Sequence, residues 1–310
     1  MKKVLIVVLL FCTLTSHANQ KIVLVLDWFL NPNHAPILIA KEQGFFAKNG
    51  LDVAIITPAD PNDPPKWIAI GKGDIALDYQ PHVLMAVAQG LPLKQVGTLI
   101  GRPLNALMVL KASSINRISD LKGKTIAYSA PAIDPLILKT MLNKEGLSLN
   151  DVTLINVHYD LTQALLSKKV DAAMGIMRNF ELIQLKMLGQ EGRVFFPEDY
   201  GVPLYSELVF ITKQSESGDR FNAFFDALNS AKDYLKKHPE ESWRLIVKRY
   251  DELNNPLNHA VWLNTLDEFP NKFQEININQ CRKMAEFLDK TTSGAVVKKV
   301  CADNDPDPIR

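Results

Sequence analysis

The chain contains little cysteine and carries almost no net charge. Its 310 residues include three cysteines, and its formal net charge is +1. A balanced charge gives no electrostatic reason to expect nucleic acid as a partner. Hydrophobic residues make up 47% of the chain, which is typical of a globular protein. The length allows one large domain or two medium domains, each with a proper core.

The sequence signatures of common enzyme classes are missing. The chain has no G-x-S-x-G, no H-E-x-x-H, no C-x-x-C, no G-x-G-x-x-G and no P-loop motif. Its six histidines are scattered, and no two of them stand four residues apart on one predicted helix. Their spacing therefore gives no support for a metal site. These absences favour a binding protein over an enzyme.

Long hydrophobic runs are absent after the N-terminus. The first residues combine a basic start (1–3), an apolar run (4–11) and a small-x-small triplet (16–18). This combination predicts a secretory signal peptide, residues 1–18, that is cleaved after Ala18. The apolar run is too short for a membrane anchor, because a span needs about 20 apolar residues.

The three cysteines have different interpretations. A lipoprotein attached through Cys12 is the less favoured alternative to cleavage, because the large Phe11 stands just before it. If the leader is removed, Cys281 and Cys301 remain, and an even pair in an oxidising compartment predicts a disulfide. Such a bond would stabilise the C-terminal segment by ~3 kcal/mol on a chain-entropy estimate. Two unpaired thiols are the other interpretation.

Strand-like and helix-like patterns alternate along the rest of the chain. A first series runs from "KIVLVLD" at 21–27, through a segment with helical spacing at 36–50, to "LNALMVLK" at 104–111. The alternation restarts with "LKGKTIAYS" at 121–129 and becomes almost wholly helical after "YSELVFITK" at 205–213. This rhythm predicts an α/β protein with open, mainly parallel sheets. The strands "LNALMVLK" and "YSELVFITK" bracket the second series, so we expect them to cross between two lobes.

Polar and aromatic side chains follow the predicted strands. In open α/β sheets ligands bind beyond the carboxyl ends of the strands, so we expect these side chains to gather around one cleft. They are Asp27, Trp28, Asn33 and His34 after the first strand, Tyr79, Gln80 and His82 after the third, Ser129, Asn179 and Glu181 in the second series, and Tyr205 where the chain returns.

Each of these residues also has a purely structural interpretation. Trp28 fits a core position, and Asn33 fits a turn. His82 fits the first turn of a helix, and Glu181 fits a helix start, where a negative charge interacts favourably with the helix dipole. The acid Asp27 beside an indole favours a site, because a buried charge must be satisfied.

Four segments of the sequence occur in the order in which similar segments occur in one protein family. They are "LDWFLNPNHAPILIAKEQGFFAKNGLDV", "GKGDIALDYQPHVLMAVAQGLPL", "DLKGKTIAYS" and "KVDAAMGIMRNFELIQL". The sequence resembles the periplasmic substrate-binding proteins of ABC transporters of the thiamine-pyrimidine type. Those proteins are related to the fungal hydroxymethylpyrimidine phosphate synthases and, more distantly, to sulfonate and nitrate binders. The similarity covers nearly all of the chain after the leader.

The resemblance implies a two-lobed periplasmic-binding-protein fold of the second type with a helical C-terminal segment. The first lobe would comprise residues 20–106 and 207–310, and the second lobe residues 107–206. It also implies a periplasmic monomer that captures a formylaminopyrimidine or hydroxymethylpyrimidine without any cofactor. The partners would be an ABC permease and its ATPase in the inner membrane.

The matching positions would then take roles in binding the pyrimidine. Trp28 would stack on the flat ring, with Tyr79 or Tyr205 at the opposite face. Glu181 would pair with a ring nitrogen and the exocyclic amine. Hydrogen bonds to the ring edge or its substituent would come from Asp27, Asn33 and His34.

Comparison with the wider family raises two alternative functions, a pyrimidine synthase and a binder of an anionic solute. The synthases need a lysine for pyridoxal phosphate, a histidine, a cysteine-rich stretch and a glycine-rich phosphate loop. Here His82 matches the histidine, but Asp78 stands at the lysine position, "VPLYSEL" has no cysteine and "YSAPAIDP" has no glycine. These departures argue against the enzyme. Arg178 stands where the binders often carry an aromatic residue, and an arginine there would suit an anionic ligand such as a sulfonate.

Overall fold

The structure is a computed structural model that describes residues 19–216, 219–288 and 300. Ten strands lie within these residues, and five of them form each of two sheets. In chain order the strands are β1 (Gln20–Val25), β2 (Leu51–Ile56), β3 (Ile75–Asp78), β4 (Leu93–Ile100), β5 (Asn105–Leu110), β6 (Thr125–Tyr128), β7 (Thr153–Asn156), β8 (Ala172–Met177), β9 (Gly192–Phe195) and β10 (Leu208–Lys213). The predicted leader, Cys12 included, lies outside the described residues.

Each sheet mixes parallel and antiparallel pairs. The strand order is β2-β1-β3-β10-β4 in the first sheet and β7-β6-β8-β5-β9 in the second. β1 pairs in parallel with β2 and β3, and β6 does so with β7 and β8. β10 and β5 run antiparallel to both of their neighbours. Each of these two strands is the first after the chain has passed from one sheet to the other. The other four strands of each sheet run in one direction, which agrees with the expectation of mainly parallel sheets.

Eleven α-helices lie in the described part of the chain, and a 3-10 turn at Pro32–His34 precedes the first of them. In chain order they are α1 (Ala35–Glu42), α2 (Phe45–Lys48), α3 (Pro64–Ala69), α4 (Gln80–Ala88), α5 (Asp134–Lys144), α6 (Leu161–Leu166), α7 (Glu181–Met187), α8 (Asp219–Lys237), α9 (Pro239–Arg249), α10 (Pro256–Thr265) and α11 (Ile278–Leu288). The helical spacing at 36–50 corresponds to two helices, because Gly44 adopts a left-handed backbone conformation between them, with φ of 72°. None of these helices has the length and apolarity that a bilayer span requires.

The strands consist of nearly continuous apolar runs because helices cover both faces of the sheets. In β1, for example, Ile22, Leu24 and Val25 are all fully buried. The helices after β10 pack mainly against helices of the first sheet: α8 lies against α1 and α2, α9 against α1, and α11 against α4. α10 also contacts α7, which belongs to the second sheet.

We call the first sheet with its helices and α8–α11 the first lobe, and the second sheet with α5–α7 the second lobe. The residue bounds given above for the two lobes stay a prediction. Cys281 lies in α11, is fully buried and is disulfide-bonded. Its predicted partner, Cys301, lies outside the described residues, so that pairing also stays a prediction.

Candidate functional site

A cavity lies between the two lobes, lined by residues that follow β1, β3 and β6 and by the end of β8. Seven of the eleven residues predicted from the sequence line it: Asp27, Trp28, Asn33, Tyr79, Ser129, Glu181 and Tyr205. The strand ends therefore meet as the sheet geometry requires. Contact of these residues with a ligand stays a prediction.

The cavity wall also contains polar residues that the sequence reasoning missed, namely Asn105, Asp134 and Glu207. Asn105 begins β5, and Glu207 immediately precedes β10. Because these two strands run antiparallel to their neighbours, their starts lie at the same edge as the carboxyl ends of the parallel strands. A search restricted to residues after strands could not find them. An acid directly before the buried run of β10 was the available signal.

Trp28 lies at the boundary between the lobes rather than in a core. Its side chain is partly exposed and lines the cavity. The indole centroid lies 4.4 Å from the ring centroid of Tyr159, with the planes at 82°. Tyr159 comes from the connection between β7 and α6, so this edge-to-face contact joins the two lobes. Aromatic pairs of this geometry contribute about 0.5–1.5 kcal/mol beyond their buried area.

Asp27 is held in place by two side chains of the first lobe. Its Oδ1 lies 3.0 Å from Nε2 of His34, and its Oδ2 accepts a hydrogen bond from the Tyr79 hydroxyl at 3.3 Å. Nδ1 of His34 accepts a hydrogen bond from the backbone N–H of Asn31 at 3.3 Å. The ring proton is therefore on Nε2, which donates a hydrogen bond to Asp27. His34 is fully buried and does not line the cavity, and its predicted contact with a ligand stays a prediction. Its ring positions the carboxylate of Asp27.

Glu181 begins α7 and presents a carboxyl group to the cavity. Its Oε2 accepts the backbone N–H of Met177 at 2.7 Å. Loss of water around this carboxyl raises its pKa to about 7, although hydrogen bonds from the backbone N–H groups of Met177 and Glu181 favour the charged form. A carboxyl with that pKa exchanges between hydrogen-bond donor and acceptor near neutral pH.

Asp134 and Asn105 form a buried pair on the cavity wall. The Asp134 Oδ2 accepts the backbone N–H groups of Ser129 at 3.0 Å and Ala130 at 2.8 Å. Its Oδ1 accepts from the Asn105 side-chain amide at 3.2 Å. Burial raises the pKa of Asp134, while these three donors favour its charged form. The Asn105 Oδ1 is buried and has no hydrogen-bond partner within the described residues.

Glu207 connects the two crossings of the chain. Its Oε2 accepts the backbone N–H groups of Leu104 at 2.6 Å and Asn105 at 2.9 Å. Its carboxyl group also bonds with the hydroxyl of Tyr205. Burial raises the pKa of Glu207 to about 7, against the hydrogen bonds from Asn105 and Leu104, which lower it. One carboxyl therefore borders the cavity and fixes the strand crossings to each other.

Two other predicted residues, Gln80 and His82, do not line the cavity either. Gln80 is fully buried, and its amide donates to the Gln95 side chain at 3.0 Å. Nδ1 of His82 lies 3.0 Å from Oδ1 of Asp78, which has no exposed surface. Burial opposes a charge on His82, but the charge and hydrogen bond of Asp78 together raise its pKa. Both residues support the start of α4.

Asn179 is buried between the lobes and does not line the cavity. Its Nδ2 donates to Oδ1 of Asn33 at 2.8 Å and to Oγ1 of Thr265 at 3.1 Å. Asn33 follows β1 and Thr265 ends α10, so the amide of Asn179 reaches from the second lobe to two elements of the first. The structure places it in a contact between the lobes, and its predicted contact with a ligand stays a prediction.

The guanidinium group of Arg178 is bonded to other groups of the protein. Its guanidinium makes a two-point ion pair with Glu198 at 2.8 and 3.1 Å. It also donates to the backbone carbonyls of Leu104 and Asn105 and lies over the ring of Phe196 at 4.2 Å. It does not line the cavity. This arginine ties the second lobe to the first crossing, and the suggestion that it admits an anionic ligand stays a prediction.

The cavity is acidic. Four carboxyl side chains line it, and none of the described lining residues is a lysine, arginine or histidine. The hydroxyl groups of Tyr79, Tyr205 and Ser129 are each bonded to a protein group. A ligand therefore meets mainly acceptors, which suits a molecule rich in N–H donors. Within the described ranges no group of three acidic, histidine or cysteine side chains could hold a metal ion.

Two lobes of mixed α/β structure with a cavity between them define the periplasmic-binding-protein fold. The chain is similar to the alkanesulfonate-binding protein SsuA from Xanthomonas axonopodis pv. citri bound to MOPS, with a TM-score of 0.68, 19% identity, and coverage of 90% of this chain and 95% of that one. At this identity the likeness shows the fold alone, and it confirms the predicted two-lobed architecture.

The chain belongs to the NMT1/THI5-like family, whose model matches residues 31–242. A Haemophilus influenzae protein named for thiamine biosynthesis is 47% identical over 283 residues, which are 91% of this chain and 90% of that protein. The formylaminopyrimidine-binding protein of Halalkalibacterium halodurans is 34% identical over 265 residues, 84% of this chain and 80% of that protein. A 4-amino-5-hydroxymethyl-2-methylpyrimidine phosphate synthase of Legionella pneumophila is 27% identical over 260 residues, 82% of this chain and 81% of that enzyme. The family resemblance seen in the sequence is confirmed.

Proposed function

We propose that this chain is the solute-binding component of an ABC importer and that it captures a thiamine-related aminopyrimidine between its lobes. The ligand class comprises formylaminopyrimidine and hydroxymethylpyrimidine. The observation that carries the proposal is the acidic cavity between the lobes, with an indole beside it and no cationic side chain among its described lining residues. The name of the Halalkalibacterium halodurans relative supports the same ligand class.

The chemistry of the cavity matches this ligand class. An aminopyrimidine is flat, so the Trp28 indole offers it a stacking surface. Its exocyclic amine donates hydrogen bonds and its ring nitrogens accept them. With a pKa of about 7, Glu181 accepts from the amine when charged and donates to a ring nitrogen when protonated. Asp27, fixed by His34 and Tyr79, provides a second acceptor of defined direction.

Binding without covalent chemistry is the proposed mode of action. Asp78, which stands where the resemblance places a lysine in the synthases, is buried beside His82 and does not line the cavity. We propose that ligand enters an open cleft and that the lobes close around it by hinge motion at the two crossings. The closed form would then dock on a membrane permease, which an ATPase drives.

Export is part of the proposal. The basic and apolar start of the sequence supports a leader at residues 1–18, and removal after Ala18 would release a periplasmic monomer. N-terminal sequencing of protein recovered from a periplasmic extract tests this step. A chain that keeps its leader, or that carries lipid on Cys12, would contradict it.

The ligand class is tested by native mass spectrometry of the purified protein, followed by calorimetric titration. We expect a co-purifying pyrimidine and submicromolar to micromolar binding of aminopyrimidines (about −8 kcal/mol or tighter). Taurine, an alkanesulfonate and nitrate serve as the anionic arm of the titration and are expected to give no heat. Tighter binding of an anion than of every pyrimidine tested would overturn the proposed function. Release of a pyrimidine from pyridoxal phosphate in the presence of iron would overturn the absence of catalysis.

A further inference from the structure

The chain places one of its own carboxylates where backbone amides are available to bind an anion. Asp134 is the first residue of α5, is 1% exposed and lines the cavity. Its Oδ2 accepts two consecutive backbone N–H groups, those of Ser129 at 3.0 Å and Ala130 at 2.8 Å. These amides belong to the connection that leads from β6 to α5.

Consecutive backbone amides that lead into a helix form a site for phosphate and similar anions, because the N–H groups and the helix dipole both favour negative charge. α5 has eleven residues, so its dipole is developed over three turns. Here the internal carboxylate takes the place of a bound anion. The two donors are therefore unavailable to a ligand, and a carboxyl group stands beside the cavity in their place.

The surroundings of Asp134 support a fixed role for the carboxylate. A Cβ atom at Gly175 of β8 would lie 2.5 Å from Oδ2 of Asp134, so the second sheet approaches the carboxylate as closely as a glycine allows. The Asn105 amide donates to Oδ1, and its own Oδ1 is buried on the same wall without a partner among the residues that the structure describes. A buried acceptor without a partner cannot form a hydrogen bond with an oxyanion, but it can accept one from an N–H donor of a ligand.

We propose that Asp134 determines specificity by excluding ligands that carry a phosphate or another tetrahedral oxyanion. It fills the amide pair that the oxyanion would use and repels its charge. The inference rests on the proposed function in one respect: the chain would accept an unphosphorylated aminopyrimidine and reject its phosphate ester. Asp134→Ala would free the amide pair, and Asp134→Asn would keep the amides bonded while removing the charge.

The test compares hydroxymethylpyrimidine, its phosphate ester and inorganic phosphate by calorimetry at fixed pH and ionic strength. The wild type is expected to bind the free pyrimidine at least about 100-fold more tightly than the ester, because apposed like charges are costly. Both substitutions of Asp134 are expected to reduce that ratio by about tenfold or more. Asp151→Ala is the matched control, since Asp151 accepts the backbone N–H of Ser148 at 2.9 Å in the same manner but does not line the cavity.

Asp134→Asn keeps the acceptor for both amides. If the alanine variant does not fold, the affinity ratio of Asp134→Asn alone is compared with that of the wild type. A wild type that binds the ester within threefold of the free pyrimidine would overturn the inference. So would a ratio in both variants that stays within twofold of the wild-type ratio. If the wild type binds no pyrimidine, inorganic phosphate bound by Asp134→Ala and not by the wild type would still support the inference, while the proposed function would fail.

Discussion

The side-chain amide of Asn179 donates a hydrogen bond to Oδ1 of Asn33 at 2.8 Å and so fastens the second lobe to the first. The same amide donates to Oγ1 of Thr265 at 3.1 Å. All three side chains are buried, and we call them the interlobe latch. A hinge movement about the two crossings would separate Asn179 from both partners. If the lobes open as proposed, the latch stabilises the closed arrangement relative to the open one.

Asn179→Ala is expected to weaken ligand binding by accelerating release. If the two hydrogen bonds break when the lobes open, their loss costs about 1–3 kcal/mol, or about 5- to 150-fold in affinity. Most of this loss should appear in the dissociation rate, because the latch forms after the ligand has entered. Stopped-flow displacement of a bound aminopyrimidine measures that rate.

Asn264→Ala is the matched control for the latch. Asn264 precedes Thr265 in α10 and is exposed. Within the described part of the chain its side chain donates to the backbone carbonyl of Ala260 in its own helix and to no other group. Its loss should leave the dissociation rate unchanged. An Asn179→Ala protein that releases ligand at the wild-type rate would show that the latch does not hold the closed form.

Trp28→Ala is expected to lower pyrimidine affinity by about tenfold or more, because the stacking surface and the contact with Tyr159 are both lost. Trp28→Phe should retain much of the affinity, since it keeps an aromatic face. Trp67→Ala is the control, because Trp67 lies in α3 and does not line the cavity. Calorimetry measures all three. Affinity of Trp28→Ala within twofold of wild type would refute the stacking role.

The stability of the ligand-free protein is expected to fall as pH rises from about 5 to 7. Burial raises the pKa of Glu207 from 4.5 to about 7 in the folded protein. Over that range the folded state keeps the proton and the unfolded chain has released it, so rising pH favours unfolding until the folded pKa is passed. Glu207→Gln removes this contribution and should reduce the loss of unfolding free energy between pH 5 and 8 by about 1–3 kcal/mol.

Urea unfolding at pH 5, 6, 7 and 8 measures the effect. Glu181 contributes in the same direction and remains in the variant, so the dependence should become shallower without vanishing. Glu191→Gln is the control, because Glu191 is exposed and its pKa is lowered by the side chain of Lys111. Equal pH dependence in the wild type and Glu207→Gln would show that Glu207 does not retain a proton in the folded protein.

Gly175→Ala is expected to destabilise the protein more than Gly123→Ala does. Both glycines have positive φ, 94° and 73°, so both substitutions carry a backbone cost of about 1–2 kcal/mol. Only at Gly175 would the new Cβ also lie 2.5 Å from Asp134, whereas nothing lies within 4 Å at Gly123. The additional loss should be about 1–3 kcal/mol of unfolding free energy. Equal losses in chemical denaturation would mean that the wall beside Asp134 yields to a methyl group.

The order of secondary structure was readable from the sequence because strands buried on both faces leave continuous apolar runs, and because glycine and proline mark their ends. The short edge strand β9 gave no such run and was missed. The orientation of β5 and β10 was also missed, since a strand's direction in a sheet depends on the path by which the chain enters it. That error hid Asn105 and Glu207, whose strands present their starts to the cavity.

Within the site, side chains that were correctly placed by position differed in direction. Asp27 and His34 both follow β1, yet the carboxylate borders the cavity while the imidazole lies behind it. Asn179 and Glu181 stand two residues apart, and only Glu181 lines the cavity. Spacing along a chain cannot distinguish these outcomes, because they depend on how distant segments pack together. Asn179, for example, bonds to Asn33 and Thr265 of the first lobe.

The sequence alone determined the class of fold and the edge of the sheets at which polar groups collect, because these depend on apolar periodicity and on local turn chemistry. The family was identified separately, from the resemblance of four sequence segments. Tertiary structure decided which of those groups a ligand can reach and with what charge. Glu207 meets the amide of Leu104, 103 residues earlier, and Asp134 meets the side chain of Asn105, 29 residues earlier. Only packing brings such segments together, and the burial that follows sets the charge of each carboxyl.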